Sequence, residues 1–172
     1  PGQQYFYTVK AVDNSLNRSE YSNEVSAIAS GTHDMVMRLP FEESTLDHSV
    51  NLNHGAPYGG VSYVEGKVGA QAIELDGKNG FVQLPATSVN HKEITIAMWV
   101  YWKSSSVWQR IFDFGNGETE NMFLTPRSDS GQMRFAIKNG GSEQFLNGPA
   151  LPIRKWTHLA ITLGASGARI YV

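Results

Sequence analysis

The segment 156–172 has the pattern of a β-hairpin, which restricts the fold to one that contains antiparallel sheet. Apolar and β-branched residues alternate with polar ones in Trp156–Leu163, as they do in a half-buried strand. Gly164 and Gly167 bracket a short turn, where glycine takes the positive φ that tight hairpins need. The second strand, Arg169–Val172, is predicted to return against the first. The chain therefore has to build antiparallel sheet.

Composition excludes several classes of function. The 172 residues are 41% hydrophobic and 17% charged, which is typical of a chain with a packed core. The net charge is −2 and the 14 basic residues are scattered, so we expect no nucleic-acid partner and no membrane partner. No apolar run approaches the roughly 20 residues that span a bilayer. Because cysteine is absent, disulfides, thiolate metal sites and cysteine nucleophiles are excluded.

Short strands separated by turn clusters predict an all-β sandwich. The longest predicted strand, Ile94–Trp102, is apolar on both faces, so we expect it to be central and covered on both sides. Trp99 and Trp156 lie inside apolar strands and are predicted to belong to the core. Further strands are predicted at Met35–Phe41, Ala72–Asp76, Phe81–Leu84, Gln109–Phe114, Met122–Thr125, Gln132–Lys138 and Gln144–Leu146.

Residues 1–29 form a first unit with two strand patterns around a turn cluster. The signature Pro1-Gly2-x-x-Tyr5-x-Tyr7-x-Val9-x-Ala11-Val12, followed by Tyr21-Ser22-Asn23-Glu24-Val25, resembles the last two strands of a fibronectin type III domain. The resemblance implies that Tyr5 is the tyrosine-corner residue. Such a sandwich needs about 100 residues, so we expect this unit to be incomplete. Residues 30–34 form a polar linker.

The second unit, residues 35–172, carries six motifs in order, which are Leu39-Pro40-Phe41-Glu42-Glu43, Glu65-Gly66-Lys67-x-Gly69, Ile73-x-Leu75-Asp76-Gly77, Phe81-Val82-x-Leu84-Pro85, Thr95-Ile96-Ala97-x-Trp99-Val100 and Trp156-Thr157-His158-Leu159-Ala160. Together they resemble the laminin-G-like domain, which implies a concanavalin A-like jelly-roll β-sandwich. That family continues past the equivalent of Val172, so we expect a domain truncated at its carboxyl terminus with an exposed sheet edge.

Two further segments, 108–115 and 122–126, look like a bacterial subset of this domain. The subset is appended to secreted glycoside hydrolases, including enzymes that act on arabinose-containing plant polysaccharides. The resemblance therefore implies a secreted or cell-surface bacterial protein with an adjacent catalytic domain.

A catalytic function has one candidate motif. Retaining glycosidases need two carboxyl groups about 5–5.5 Å apart, and the glucanases of this fold carry them as Glu-x-Asp-x-x-Glu on one strand. Glu74-x-Asp76 is the nearest match, but Asn79 stands where the second glutamate belongs. Asp76-Gly77 also has the pattern of a turn that leaves the strand. We therefore predict that this chain is not an enzyme.

Calcium is the one metal that the resemblance implies, as a single structural ion. The five histidines have no paired spacing typical of zinc. Calcium takes oxygen ligands, and the candidate donors are Glu42, Glu43, Asp47 and Asn79. The alternative interpretation is a solvated acidic turn.

Carbohydrate binding needs aromatic faces and planar polar side chains. Residues with this chemistry near strand ends or loops are Trp102, Trp108, Arg110, Phe123, Arg127 and Gln144. A structural interpretation stays open for two of them. Trp108 could be a core residue, and Arg110 could be a paired arginine that holds two strands together.

The sequence leads to one functional hypothesis and two rivals. The hypothesis is a non-catalytic accessory module of a secreted bacterial polysaccharide-degrading enzyme, which binds a polysaccharide or positions its catalytic partner. One rival is a structural or adhesive spacer without sugar affinity. The other is a catalytic glycosidase of the concanavalin type.

Overall fold

Antiparallel sheet dominates the computed structural model, which describes residues 4–7, 25–28 and 35–172. The strands in these ranges are β1 (Gln4–Tyr7), β2 (Val25–Ile28), β3 (Ala56–Tyr58), β4 (Val61–Glu65), β5 (Gln71–Leu75), β6 (Phe81–Gln83), β7 (Ile94–Tyr101), β8 (Phe112–Asn116), β9 (Glu120–Thr125), β10 (Arg134–Asn139), β11 (Gln144–Asn147), β12 (Trp156–Gly164) and β13 (Gly167–Tyr171). A single 3-10 turn, Ala86–Ser88, interrupts them in this part of the chain. None of the described residues forms a helix with the length and hydrophobicity that a bilayer span requires.

Two larger sheets enclose the core. The first has the strand order β11-β10-β9-β8, and the second has the order β13-β12-β7. Their inward faces supply the buried core residues Leu124, Phe135, Leu159 and Ile161, and the loop residues Met133 and Leu151 complete the cluster. The other described strands form three two-stranded sheets, β3–β6, β4–β5 and β1–β2. The predicted all-β sandwich is confirmed.

The carboxyl-terminal hairpin has the predicted pairing. Ile161 lies opposite Ile170, and the hairpin closes with Gly164 opposite Gly167. Gly167 has φ +99°, a left-handed backbone that side chains other than glycine rarely adopt. This glycine therefore fixes the register that turns Leu159 and Ile161 into the core.

Strand β7 is not central. It pairs with β12 alone among the described strands, and its residues alternate between half-buried and exposed. Trp99 is 42% exposed, and Trp156 lies half-buried on the same outward face. Tyr101 pairs with Trp156, and Trp99 pairs with His158, each with ring centroids 5.3 Å apart. The central position of β7 and the core assignments of both tryptophans were wrong. Cross-strand ring pairs cover part of these apolar surfaces, and Lys67 Nζ lies 5.6 Å from the Trp99 ring centroid.

An open trough is lined in part by residues of β7. Strands β5 and β6 and the segment 35–42 contribute to its lining.

The segment Met35–Phe41, predicted as a strand, has no regular secondary structure. The Arg38 amide donates to Asp47 Oδ1 at 2.7 Å, and the Val36 carbonyl accepts from Asn53 Nδ2 at 3.0 Å. Phe41 has φ +59°, outside the extended region. The strand prediction was wrong because polar side chains of the following loop take the backbone groups that a sheet would need.

The amino-terminal unit is described only as a pair of short strands. β1 and β2 are antiparallel, with Gln4 opposite Ile28 and Tyr7 opposite Val25. The turn cluster, the linker 30–34 and the side chain of Tyr5 lie outside what the structure describes. The fibronectin-like assignment and the domain boundaries stay predictions.

The core position of Leu159 generates a stability prediction. This side chain is fully buried between the two larger sheets, so Leu159→Ala should leave a cavity and lower the free energy of unfolding by about 2–5 kcal/mol. Leu75→Ala is the matched control, because Leu75 is 41% exposed and removing its side chain should lower the free energy of unfolding far less. Urea unfolding monitored by tryptophan fluorescence measures both. Equal losses for the two variants would contradict the assignment of the core.

Candidate functional site

The sheet β8–β11 carries apolar side chains on one face and mostly polar or aromatic ones on the other. Strand side chains alternate between faces, and Leu124 and Phe135 define the face that meets the core. Their neighbours in sequence point the other way. We call this other surface the polar face, and its strand residues are Asp113, Asn121, Phe123, Thr125, Arg134, Ala136, Lys138, Phe145 and Asn147.

One row of the polar face places two phenyl rings on either side of an alanine. The strand register aligns Asp113, Phe123, Ala136 and Phe145 across the four strands. Because neighbouring strands lie 4.7–4.9 Å apart, the two phenylalanines are roughly 10 Å apart at the backbone. Ala136 between them contributes only a methyl group. Ala136 is fully buried, so neighbouring side chains cover the middle of the row, and Phe145 at 51% exposure is its accessible aromatic residue.

The first ring is capped by an arginine. The Arg110 guanidinium carbon lies 4.0 Å from the centroid of Phe123, which is only 4% exposed as a result. Arg110 Nε donates to Asp113 Oδ2 at 2.9 Å, and Nη1 donates to the Trp108 carbonyl at 2.8 Å. These bonds hold the guanidinium plane over the ring with its remaining N–H groups available to a ligand.

The second ring repeats this arrangement. The Arg134 guanidinium carbon lies 4.0 Å from the centroid of Phe145, whose residue is 51% exposed. Arg134 Nε donates to Asn147 Oδ1 at 3.1 Å, and Nη1 lies 3.6 Å from Glu143 Oε1. Cation–π contact and ion pairing together fix the side chain.

Trp108 contacts both arginines at one end of the polar face. Its carbonyl accepts from Arg110, and its ring centroid lies 5.5 Å from the Arg134 guanidinium carbon. Trp108 Nε1 donates to Asp129 Oδ1 at 2.9 Å, and the backbone has φ +60°. The Trp108 amide also donates to the Arg127 carbonyl. A left-handed backbone at a tryptophan is uncommon, and here it is held by bonds at both the amide and the indole.

The six predicted carbohydrate contacts divide between this face and other places. Trp108, Arg110 and Phe123 come together on it. Arg127 follows β9 at its rim, with Nη1 bonded to the Ser105 carbonyl. Gln144 is exposed but alternates with Phe145 and so points to the other side of β11. Trp102 packs partly buried against the core, with Nε1 donating to Gln109, and does not belong to the polar face.

Sequence reasoning missed part of the polar face. Asp113, Arg134, Glu143, Phe145 and Asn147 were not singled out. The signal was available in Arg134-Phe135-Ala136-Ile137-Lys138, where apolar and other side chains alternate with period two. Alternation within one strand does not reveal which polar positions of neighbouring strands share a row, so the row itself was not predicted.

The four predicted calcium donors have separate partners. Glu42 accepts from the amides of Ala70 and Gln71, and Glu43 accepts from the Gln71 side chain. Asn79 Oδ1 accepts from the Gly60 amide. Residues 35–172 and the two amino-terminal strands contain no group of three or more acidic or histidine side chains that could hold a metal. Calcium binding stays a prediction that these contacts do not support.

Asp47, the remaining donor, is a buried structural carboxylate. It is 2% exposed and accepts from the amides of Arg38, Ser49 and Asn53 and from the Ser49 hydroxyl. Burial by itself raises the pKa of Asp47, but these hydrogen bonds outweigh it and lower the pKa from 3.8 to about 2.

The candidate catalytic carboxylates also have local partners. Glu74 Oε1 accepts from Lys103 Nζ at 2.6 Å. Asp76 Oδ1 accepts from the amides of Lys78, Gly80 and Asn79, and these bonds, the one from Lys78 foremost, lower the pKa of Asp76. Gly77 has φ +69°. The predicted turn at Asp76-Gly77 is therefore confirmed.

The profile of the Laminin_G_3 family, described as the concanavalin A-like lectin/glucanases superfamily, matches residues 76–172, more than half of the chain. The chain belongs to this family.

A similar solved structure is Domain 4 of AbnA, a GH43 extracellular arabinanase from Geobacillus stearothermophilus, in complex with arabinotriose. The structural match between that domain and this chain has a TM-score of 0.65 and a sequence identity of 21%, and it covers 75% of this chain. It covers 66% of the other chain, just under two thirds, and at this identity it supports the shared fold alone. No curated protein matches the chain.

Asp47 generates a pH prediction. Because its pKa is lower in the folded state, the stabilisation is fully present above pH 3.8 and is lost as the pH falls through about 2. Asp47→Asn should therefore destabilise the protein at pH 6, and its deficit against wild type should shrink as the pH falls from 4 towards 2. Urea unfolding of both proteins across this range measures the deficit. A deficit that does not vary with pH would contradict the role of the charge.

Proposed function

We propose that this chain is a non-catalytic accessory module that binds carbohydrate through the polar face. The observation that carries the proposal is the pair of guanidinium–phenyl stacks, Arg110 on Phe123 and Arg134 on Phe145, on either side of Ala136. Its parent is a secreted bacterial polysaccharide-degrading enzyme, and the adjacent catalytic domain is its partner in the same chain. That Domain 4 of AbnA belongs to an extracellular arabinanase supports this context.

The chemistry of the face suits sugar hydroxyls. A hydroxyl both donates and accepts hydrogen bonds, and the polar face offers both kinds of group side by side. The guanidinium groups of Arg110 and Arg134 donate, while oxygens of Asp113, Glu143 and Asn147 accept. Partners fixed in planar pairs lose little conformational freedom when a ligand arrives, which favours binding.

The aromatic side chains supply the apolar part of the contact. Phe145 is half exposed beside Arg134, so the C–H face of a sugar ring has access to it. Phe123 is covered by Arg110 and acts instead as the support of that guanidinium. Phe145 is therefore the stacking residue of the proposed site, and Arg110 and Arg134 are its donors.

A non-catalytic role is supported by the contacts of the candidate carboxylates. Glu74 is engaged by Lys103, and Asp76 is engaged by three amides of its own turn. A retaining glycosidase needs a free pair of carboxyl groups across the scissile bond. If the chain hydrolysed a glucan and Glu74→Gln abolished the hydrolysis, the catalytic rival would replace this proposal.

Phe145→Ala tests the proposed site. The variant should reduce affinity for linear arabinan by up to about tenfold, because the stacking contact between a sugar ring and the Phe145 side chain is lost. Phe81→Ala is the matched control: Phe81 is also 51% exposed in a short strand, but it stacks on Tyr58 away from the polar face. Affinity electrophoresis in gels that contain the polysaccharide measures both variants.

If wild type is not retarded by linear arabinan or by any other plant or bacterial polysaccharide, the chain is a spacer without sugar affinity. If Phe81→Ala loses binding and Phe145→Ala keeps it, carbohydrate binds elsewhere and the polar face is the wrong site.

A further inference from the structure

The two central cations of the polar face are already paired with carboxylates. Arg110 Nε lies 2.9 Å from Asp113 Oδ2, and Arg134 Nη1 lies 3.6 Å from Glu143 Oε1. Both pairs are part of the surface: the four side chains are between 18% and 47% exposed. The guanidinium groups of Arg110 and Arg134 therefore present N–H donors whose positive charge is compensated by a carboxylate.

This pairing affects acidic and neutral ligands differently. A neutral sugar hydroxyl can donate to a carboxylate oxygen and accept from a guanidinium N–H, so it can use both members of each pair. The carboxylate of a uronic acid only accepts, and it would lie beside Asp113 or Glu143 wherever it reached Arg110 or Arg134. Like charges placed at such a site oppose binding.

We infer that the polar face selects neutral glycan chains over uronate-containing ones, and that Asp113 and Glu143 are the specificity-determining residues. The inference rests on the proposed function, because it assumes that a glycan occupies this face. It assigns the two carboxylates a role of their own: each suppresses attraction of acidic polysaccharides by the arginine that it accompanies.

Three further charged side chains lie on or near the polar face and contribute to its net charge. Lys138 lies on the polar face and Arg127 at its rim, while Asp129 is bonded to Trp108. With the two arginine–carboxylate pairs, these side chains leave the surface with a small positive excess. Removing both paired carboxylates leaves two more positive charges uncompensated, which should attract a polyanion in a salt-dependent way.

The experiment replaces the two carboxylates by neutral isosteres. Asp113→Asn/Glu143→Gln, the single variant Glu143→Gln and wild type are titrated calorimetrically with linear arabinan and with polygalacturonate. The control Glu65→Gln/Glu93→Gln carries the same change in net charge at exposed positions away from the polar face, Glu65 at the end of β4 and Glu93 just before β7. Each titration is repeated at about 1 M NaCl, where the screening length is roughly 3 Å.

Wild type should bind polygalacturonate about tenfold or more weakly than arabinan. The double variant should gain about tenfold in affinity for polygalacturonate, the single variant should gain less, and high salt should remove the gain. The control should gain nothing. Wild type that prefers polygalacturonate, or a folded double variant without any gain, would overturn the inference while leaving carbohydrate binding intact. Wild type that binds neither these polysaccharides nor any other would overturn the proposed function and this inference together.

Discussion

The antiparallel register between β9 and β10 is the constraint on which the proposed site depends. It places Leu124 opposite Phe135 on the core side and Phe123 opposite Ala136 on the polar face. A slip of one residue would turn the core side chains to solvent and bury the guanidinium groups, so burial of the core also secures the site. The cost of ordering two long arginine side chains is offset by their phenyl and carboxylate partners.

Much of the fold could be predicted from the sequence because its signals are local. Alternation in β12 and β13 and the glycine turn between them gave the final hairpin with its pairing, and Asp76-Gly77 was recognised as a turn. The same reasoning failed for β7, since a pattern that counts tryptophan and tyrosine as apolar cannot tell an outward aromatic pair from a buried one. Met35–Phe41 failed because its backbone partners lie in the loop that follows, which alternation does not reveal.

The proposed site was predictable only in part, for a related reason. Trp108, Arg110 and Phe123 stood out by residue type, whereas Arg134, Phe145 and Glu143 gain their meaning from the strands beside them. Trp102 has the same chemistry as Trp108, yet it packs against the core while Trp108 contacts both arginines. Residue type identifies candidate contacts, and the strand register determines which of them lie on the same face.

We expect a glycan to occupy the polar face and not the aromatic surface of β7 and β12. The four tryptophans allow a direct measurement, because each indole N–H gives its own signal in a spectrum of ¹⁵N-labelled protein. On titration with an arabino-oligosaccharide, the Trp108 indole signal and the side-chain Nε signals of Arg110 and Arg134 should shift with one common affinity. The Trp99 and Trp156 indole signals should stay in place. Shifts at Trp99 and Trp156, with Trp108 unchanged, would contradict the account.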